Sequence, residues 1–248
     1  MEPAEYNRLR HFETWYWWYL AQRENVLEAI RELRLPREAR VFDAGCGTGG
    51  NLEAVLSDAP VRGYGADVSP LAASHWGAEL QRTGCVASVN DLPYADEVFD
   101  LVYSVDVLGC RGVDPGRALN EMARVLRRGG ALVLLLPAFQ WLRSAHDEAV
   151  HSERRYTVES LRRAVQASGF RVLKAGYRFS LFFPMIAAVR LARKRRVGGG
   201  SPESDLASLP NWLNTALLSV SRLDHCLCRR VPLPFGSTVL LMARKEAG

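Results

Sequence analysis

Eleven residues constrain this chain more than any others: Val41-Phe-Asp-Ala-Gly-Cys-Gly-Thr-Gly-Gly-Asn51. Val41 to Asp43, two apolar residues closed by an acid, read as the end of a buried strand. Gly45, Gly47 and Gly49 then fall at alternate positions, and Asn51 to Leu56 read as the start of a helix. Glycine admits positive φ and lets a ligand lie against bare backbone. The helix behind it presents free N–H groups. Strand, glycine turn and helix therefore predict a nucleotide cradle, with a turn that merely joins strand to helix as the plain alternative. The even spacing departs from the dinucleotide fingerprint G-x-G-x-x-G. Tyr64-Gly-Ala-Asp67 reads as a second strand ending in a carboxylate, 22 residues after Gly45. A βαβ unit places an acid there to accept hydrogen bonds from ribose hydroxyls.

The rest of the central chain alternates strand and helix. Strands are expected at Arg40–Asp43, Val61–Asp67, Cys85–Val89, Phe99–Val105 and Ala131–Leu136. Helices are expected at Asn51–Ser57, at Pro70–Leu80 with Ser69 as its cap, and at Pro115–Leu126 between Asp114 and the stop Gly129-Gly130. A further helix over 158–168, capped at Thr157 and ended by Gly169, precedes a strand at Phe170–Tyr177. Alternation of this kind predicts a doubly wound, mostly parallel sheet with right-handed crossovers.

Asp43-Ala-Gly45-Cys-Gly47-Thr-Gly49 resembles the first motif of the class I S-adenosylmethionine-dependent methyltransferases, small-molecule type. Asn90-Asp91-Leu92-Pro-Tyr94 is similar to that family's loop after strand three, where an acid meets the adenine amino group. Phe99-Asp-Leu-Val102 and Leu119 to Gly130 are similar to its fourth-strand motif and to the approach to its fifth strand, so the likeness covers about residues 38–137. It implies a Rossmann-like, seven-stranded α/β fold with an antiparallel last strand, S-adenosylmethionine as cofactor, and methyl transfer to a small molecule. The cofactor-binding set it implies is Asp43, Gly45, Cys46, Gly47, Asn51, Asp67, Val68, Asn90, Asp91, Leu92 and Ser104. In one place the chain departs from the pattern. Many relatives carry Leu-Glu-His after strand four, whereas this chain has Leu108-Gly-Cys-Arg111, and no role of that histidine transfers.

Outside the likeness, three stretches are expected to form a cap. The first, residues 1–35, carries the aromatic run Phe12 to Tyr19 and apolar residues at helical spacing from Val26 to Leu33. It reads either as a helix packed on the sheet or as a wall of the substrate pocket through Trp17 and Trp18. An aromatic cage for the sulfonium is a narrower form of the second reading. The second stretch, Phe139 to Thr157, follows strand five at the carboxyl edge of the sheet, where open α/β sheets bind ligands. Here His146 and His151 are the candidates for a general base, because imidazole titrates near neutral pH. Trp141, Arg154, Arg155 and Tyr156 are the candidates for acceptor binding, with the arginines suited to a carboxylate or phosphate. A metal is not expected, since His146 and His151 lack H-E-x-x-H spacing.

The third stretch, residues 179–236, separates two strands that in this fold form a simple antiparallel pair, and its length predicts an inserted element. It holds an apolar segment running into basic residues Arg190 to Arg196, a glycine-serine stretch, and a second helix over Asn211–Cys228. The basic run reads as a solvated helix end, a peripheral membrane contact through residues 180–196, or a nucleic-acid patch. No stacking motif supports the last, so no nucleic-acid partner is expected. The expected division is thus 1–35 cap, 36–178 cofactor-binding core, 179–236 insertion and 237–248 last strand.

Net charge is +5, from 32 basic and 27 acidic residues, too modest to select among acidic substrate, membrane and nucleic acid. No apolar run reaches the roughly 20 residues of a membrane span. The five cysteines are scattered and odd in number, and no secretory signal is read at the N-terminus, so a reducing cytoplasmic setting is expected. Two other function classes stay open on sequence: nicotinamide-dependent oxidoreduction, which the glycine spacing disfavours, and a non-catalytic cofactor-binding module docked on a membrane or partner.

Overall fold

A computed structural model describes residues 3–195 and 209–246. The end of the basic run and the stretch Gly198–Ser201 lie outside them. The described elements, in chain order, begin with α1 (Pro3–Phe12), α2 (Trp17–Glu32), β1 (Arg40–Ala44), α3 (Gly50–Asp58) and β2 (Arg62–Asp67). Next come α4 (Pro70–Ala73), α5 (Ala78–Thr83), β3 (Gly84–Val86), β4 (Phe99–Val105), α6 (Pro115–Val125) and β5 (Leu126–Pro137). A 3₁₀ turn (Gln140–Leu142) leads to α7 (Ala145–Ala149), α8 (Val158–Ala167), β6 (Phe170–Arg178), α9 (Phe183–Arg195), α10 (Asn211–Arg230) and β7 (Thr238–Lys245).

The strands form one seven-stranded sheet in the order β3-β2-β1-β4-β5-β7-β6. β1 to β5 pair in parallel, and β7 runs antiparallel to both β5 and β6. This is the expected doubly wound sheet with an antiparallel last strand. Successive strand residues point to opposite faces, so each strand feeds two cores. Phe42, Val102, Leu132 and Leu134 pack with Leu119 and Met122 of α6 and Leu161 of α8. Val41, Leu101, Tyr103, Val133 and Leu135 pack on the other face with Val26 and Ile30 of α2 and Leu52 of α3. Burial on both faces is why these strands read as unbroken apolar runs.

Local differences from the sequence reading have local causes. The helix expected over Pro70–Leu80 is two short helices, α4 and α5. The break lets the Trp76 indole turn inward, where it is 7% exposed and its Nε1–H donates to the Gly47 carbonyl at 2.8 Å. Ser69 caps α4 as expected, accepting from the Ala72 N–H at 3.3 Å. Asp114 likewise caps α6, accepting from the Arg117 N–H at 2.9 Å. That helix ends at Val125 rather than at the glycines, and β5 starts at Leu126 because Leu126 already pairs with Phe99. β3 spans Gly84–Val86, shorter than expected.

α2 packs with the described residues of the insertion. Asn214 of α10 accepts from the Trp17 N–H and donates to the Trp15 carbonyl, both at 2.8 Å. Asp224, 1% exposed, accepts from the Phe179 and Leu181 N–H groups at 2.7 and 2.6 Å. Trp18 stacks on Phe179 and Trp17 lies against Phe182, with ring centroids 4.6 and 5.0 Å apart. No described helix is long and apolar enough to cross a membrane.

Candidate functional site

The order of the strands reverses between β1 and β4, and ligands of open α/β sheets bind outside the carboxyl ends at such a switch. The glycine turn sits there. Gly45, Gly47 and Gly49 all hold positive φ, at 88°, 52° and 91°. A side chain on Gly45 would also run into Val107. The turn is held from below by paired donors. The Gly45 and Cys46 N–H groups reach the Ala66 carbonyl at 2.8 and 2.9 Å. Asp67, at the end of β2, accepts from the Gly47 N–H at 2.9 Å and the Ser69 N–H at 3.0 Å. A carboxylate has about four acceptor positions, so Asp67 keeps capacity for hydroxyls.

Asp43 is 1% exposed at the end of β1, and its Oδ2 has no hydrogen-bond partner. Burial first, and the neighbouring Asp67 carboxylate to a lesser degree, push it up to about 7, against the pull of the Tyr103 hydroxyl. A buried acceptor without a donor is costly. Such a site fits a ligand that brings positive charge or N–H groups. Burial also raises Asp67, opposed by its two backbone donors.

The remaining predicted cofactor residues are placed as follows. Cys46 is buried in the turn, Asn51 lies in the first turn of α3, and Val68 is 69% exposed beside Asp67. Asp91 is exposed at the loop after β3. Asn90 ties that loop down, donating to the Gly112 carbonyl at 2.8 Å and accepting from the Asp114 N–H at 3.0 Å. Leu92 is buried, with its N–H on Glu121 at 2.8 Å. The Ser104 hydroxyl donates to the Ala44 carbonyl at 2.6 Å and so clamps β4 to β1 beneath the turn.

Sequence reasoning missed the contribution of α1. Its Leu9 approaches within 3.5 Å of where a Gly47 side chain would begin. Just past its end, buried Glu13 accepts from the Thr48 hydroxyl at 2.8 Å. Tyr6, 7% exposed, is raised in pKa chiefly by burial and next by the nearby Asp67 carboxylate. Nothing in Tyr6 or Glu13 taken singly signalled this, because both contacts are with residues far along the chain.

Past the end of β4 lies a cavity of about 280 Å³, lined by none of the predicted cofactor residues. α2 supplies Trp17, Trp18 and Gln22, the α7 region His146, Asp147 and Val150, α9 Met185, Ile186 and Arg190, and the edge of β4 Asp106. Of the residues predicted for acceptor or proton, Trp17, Trp18, His146 and Arg155 line this space. Arg155 is engaged there: its Nε and Nη2 donate to Asp147 at 2.8 and 2.9 Å, and Nη1 to the Ala138 carbonyl at 3.1 Å. Burial opposes ionisation of Asp147, but the Arg155 fork wins and holds its carboxyl below the ordinary range.

His151, Trp141, Arg154 and Tyr156 fall outside the lining. His151 occupies a left-handed turn at φ 55°, and its carbonyl accepts from the Arg111 N–H at 2.8 Å. Trp141 is 41% exposed and packs on Phe139 and Phe183. Arg154 is exposed, and the buried Tyr156 hydroxyl donates to the Leu108 carbonyl at 2.9 Å. Asp106, absent from the predicted set, is on the cavity wall. A second depression, lined by Glu28, Arg31, Glu32, Arg34 and Arg229, contains none of the predicted residues.

Comparison with known proteins finds methyltransferases. Residues 42–134 match a family described as a methyltransferase domain. A malonyl-[acyl-carrier protein] O-methyltransferase of Pseudescherichia vulneris is 31% identical over 154 residues, 59% of this chain and 60% of the relative. The one from Geobacter sulfurreducens is 27% identical over 207 residues, 74% of this chain and 76% of the relative. The chain spans about three fifths of the length of the first of these. Among solved structures, a methyltransferase bound to the Trm112 methyltransferase activator of Haloferax volcanii superposes with a TM-score of 0.63 at 19% identity, over 97% of this chain and 94% of that one. Geranyl diphosphate C-methyltransferase of Streptomyces coelicolor A3(2), solved with S-adenosyl-L-homocysteine, gives 0.59 at 17% identity, over 91% and 78%.

Proposed function

We propose that this chain, whose residues 42–134 match a methyltransferase domain, is a class I methyltransferase that transfers a methyl group from S-adenosylmethionine to a small-molecule acceptor held under its helical cap. One observation carries the reading: a backbone cradle flanked by Asp43 and Asp67 sits at the sheet switch, and Asp106, next to the Val107 that meets Gly45, lines a cavity walled by α2 and α9. The fit to the cofactor rests on this chain's own groups. Gly45 and Gly47 leave room for a ligand against the backbone. Asp67 has free acceptor positions for ribose hydroxyls. The unpartnered Oδ2 of Asp43 suits a cofactor bearing ammonium and sulfonium charges. Asp91 and Leu92 are the adenine-side candidates, with Asn51, Val68, Cys46, Asn90 and Ser104 shaping the cleft.

When bound, S-adenosylmethionine supplies an activated methyl and a good leaving group. The protein must align the acceptor and keep water out, and positioning of this kind can account for much of a rate enhancement. Trp17, Trp18 and Phe182 supply rigid apolar walls. His146 is the wall residue suited to take a proton, and His151, one turn further on, supports that segment from outside the lining. Arg155, with Asp147, fixes the shape of the wall, and Tyr156 secures its base, while Arg154 and Trp141 flank the segment from its outer side. Residues 1–35 and 179–236 act together as the cap. The chain is assigned to the cytoplasm, consistent with five free cysteines.

A second reading, peripheral membrane contact through residues 180–196, is favoured by the exposure of Met185, Val189 and Leu191 at 57%, 44% and 51%. Sedimentation with anionic vesicles tests it, and absence of the chain from the pellet removes it. For the leading reading the test is calorimetry with S-adenosylmethionine. Binding is expected to fall at least about tenfold in Asp67→Ala, as loss of a charged acceptor implies. His146→Ala is expected to keep cofactor affinity and to lose turnover once an acceptor is in hand. No binding at millimolar cofactor, or wild-type affinity in Asp67→Ala, would overturn the assignment.

A further inference from the structure

One carboxylate of the cavity lies outside the predicted cofactor set and is not tied to an arginine in a two-pronged pair. Asp106 follows β4 directly and holds a left-handed backbone at φ 59°. Its N–H donates to the Leu135 carbonyl at 2.9 Å, which locks the turn to β5. Residues other than glycine are kept in this region only where their surroundings over-determine it, and such positions cluster at working sites. The next residue, Val107, packs over Gly45 on the cofactor side. Asp106 itself faces the cavity. The pair therefore divides the cradle from the acceptor space, and Asp106 stands on the acceptor side.

Two arginines share the cavity with it. Arg155 is taken up by Asp147 in a two-pronged pair and by the Ala138 carbonyl. Arg190 enters from α9, on the cap side of the cavity. Gln22, 6% exposed, donates its Nε2–H to Asp106 Oδ2 at 3.1 Å and so orients the carboxylate from α2. Burial raises Asp106 to about 6, with Asp147 adding to the rise and Gln22 and Arg155 opposing it. At neutral pH it is largely an acceptor-only carboxylate beside the aromatic walls of Trp17 and Trp18, a combination that favours hydrogen-bond donors and cations over anions for a group set against Asp106 itself.

We propose that Asp106 is the acceptor-binding residue that selects the substrate class: a hydroxyl or amine donating to its carboxylate, on an apolar body lying against Trp17, Trp18 and Phe182, and not a carboxylic acid. The inference rests on the methyltransferase reading. Its test uses three probes with one ring system, 2-phenylethanol, phenethylamine and phenylacetate, each titrated by calorimetry into the full chain saturated with S-adenosylhomocysteine. The alcohol and the amine should bind at least about tenfold tighter than the acid, as a hydrogen bond to a charged group implies. In Asp106→Asn the spread should shrink below about threefold, with S-adenosylhomocysteine affinity held within about threefold of wild type. Asparagine tolerates the left-handed region, so the turn survives the change.

Three results would overturn the proposal while leaving the methyltransferase assignment intact: phenylacetate binding as tightly as the donors, a preference that persists in Asp106→Asn, and no binding of any probe at millimolar concentration. A loss of S-adenosylhomocysteine affinity in Asp106→Asn would place the residue in the cofactor site and also overturn it. Failure of S-adenosylhomocysteine to bind the wild-type chain refutes the cofactor assignment instead.

Discussion

Replacing Asp43 by asparagine should stabilise the cofactor-free protein, and by an amount that depends on pH. The Asp43 side chain is fully buried, and its ionisation lies near 7 rather than at 3.8, mainly because burial penalises the charged form. A proton equilibrium displaced from 3.8 to about 7, at about 1.36 kcal/mol per pH unit, corresponds to about 4 kcal/mol of folding free energy lost above pH 7. The folded-state value is raised, so between about pH 4 and 7 the folded chain binds more protons than the unfolded chain. Stability from this group is therefore fully present below the unfolded value and declines as pH rises towards 7. The amide of the variant does not titrate. Urea denaturation of both proteins at pH 5 and pH 8 cancels every other ionisation. The stability of Asp43→Asn relative to wild type should rise by about 2–3 kcal/mol between the two. A relative stability that changes by less than about 1 kcal/mol would show that Asp43 is charged and partnered in the free protein, and not an unsatisfied acceptor waiting on a cationic ligand. The same variant should bind S-adenosylmethionine more weakly, which is the expected exchange of stability for function.

Two further outcomes bear on the site. Gly45→Ala should cost about 1–2 kcal/mol from the backbone alone, since φ is 88°, and more from the collision with Val107. Thermal unfolding measures the loss, and calorimetry should show cofactor binding abolished. Asp147→Asn leaves Arg155 buried without its carboxylate and should cost about 3–5 kcal/mol at pH 7. Because Asp147 titrates below its usual range when folded, that stabilisation is present at neutral pH and is lost as pH falls through the folded value. The gap between variant and wild type in urea melts should therefore narrow below about pH 4, and a gap unchanged down to about pH 2 would count against the pairing.

The cofactor half was legible because its chemistry is local. Positive φ at three alternate glycines, an acid closing each of two strands, and a polar cap at Ser69 or Asp114 all act within a few residues of themselves. Contacts across the fold explain the errors. The break between α4 and α5 follows from the Trp76 indole reaching Gly47 across the fold, and no periodicity in Pro70–Leu80 announces it. The acceptor side was harder to read. Arginine and histidine between Phe139 and Tyr156 look alike in sequence. Only packing shows that Arg155 turns inward to Asp147, that His146 lines the cavity, and that His151 and Arg154 do not.

What the sequence determined by itself was the alternation of strand and helix and the glycine turn, because backbone conformation and side-chain period are fixed by neighbours along the chain. It determined the order of the core elements for the same reason, since parallel strands joined by helices have few ways to wind. Tertiary structure alone decided which side chains share the cavity. Trp17, Asp106, Asp147 and Ile186 come from four separate elements and meet only when α10 pins the cap to α2 through Asn214. Tertiary structure also decided that Asp106, an unremarked acid after a strand, lines the cavity, its left-handed turn tied by its N–H to the Leu135 carbonyl of β5.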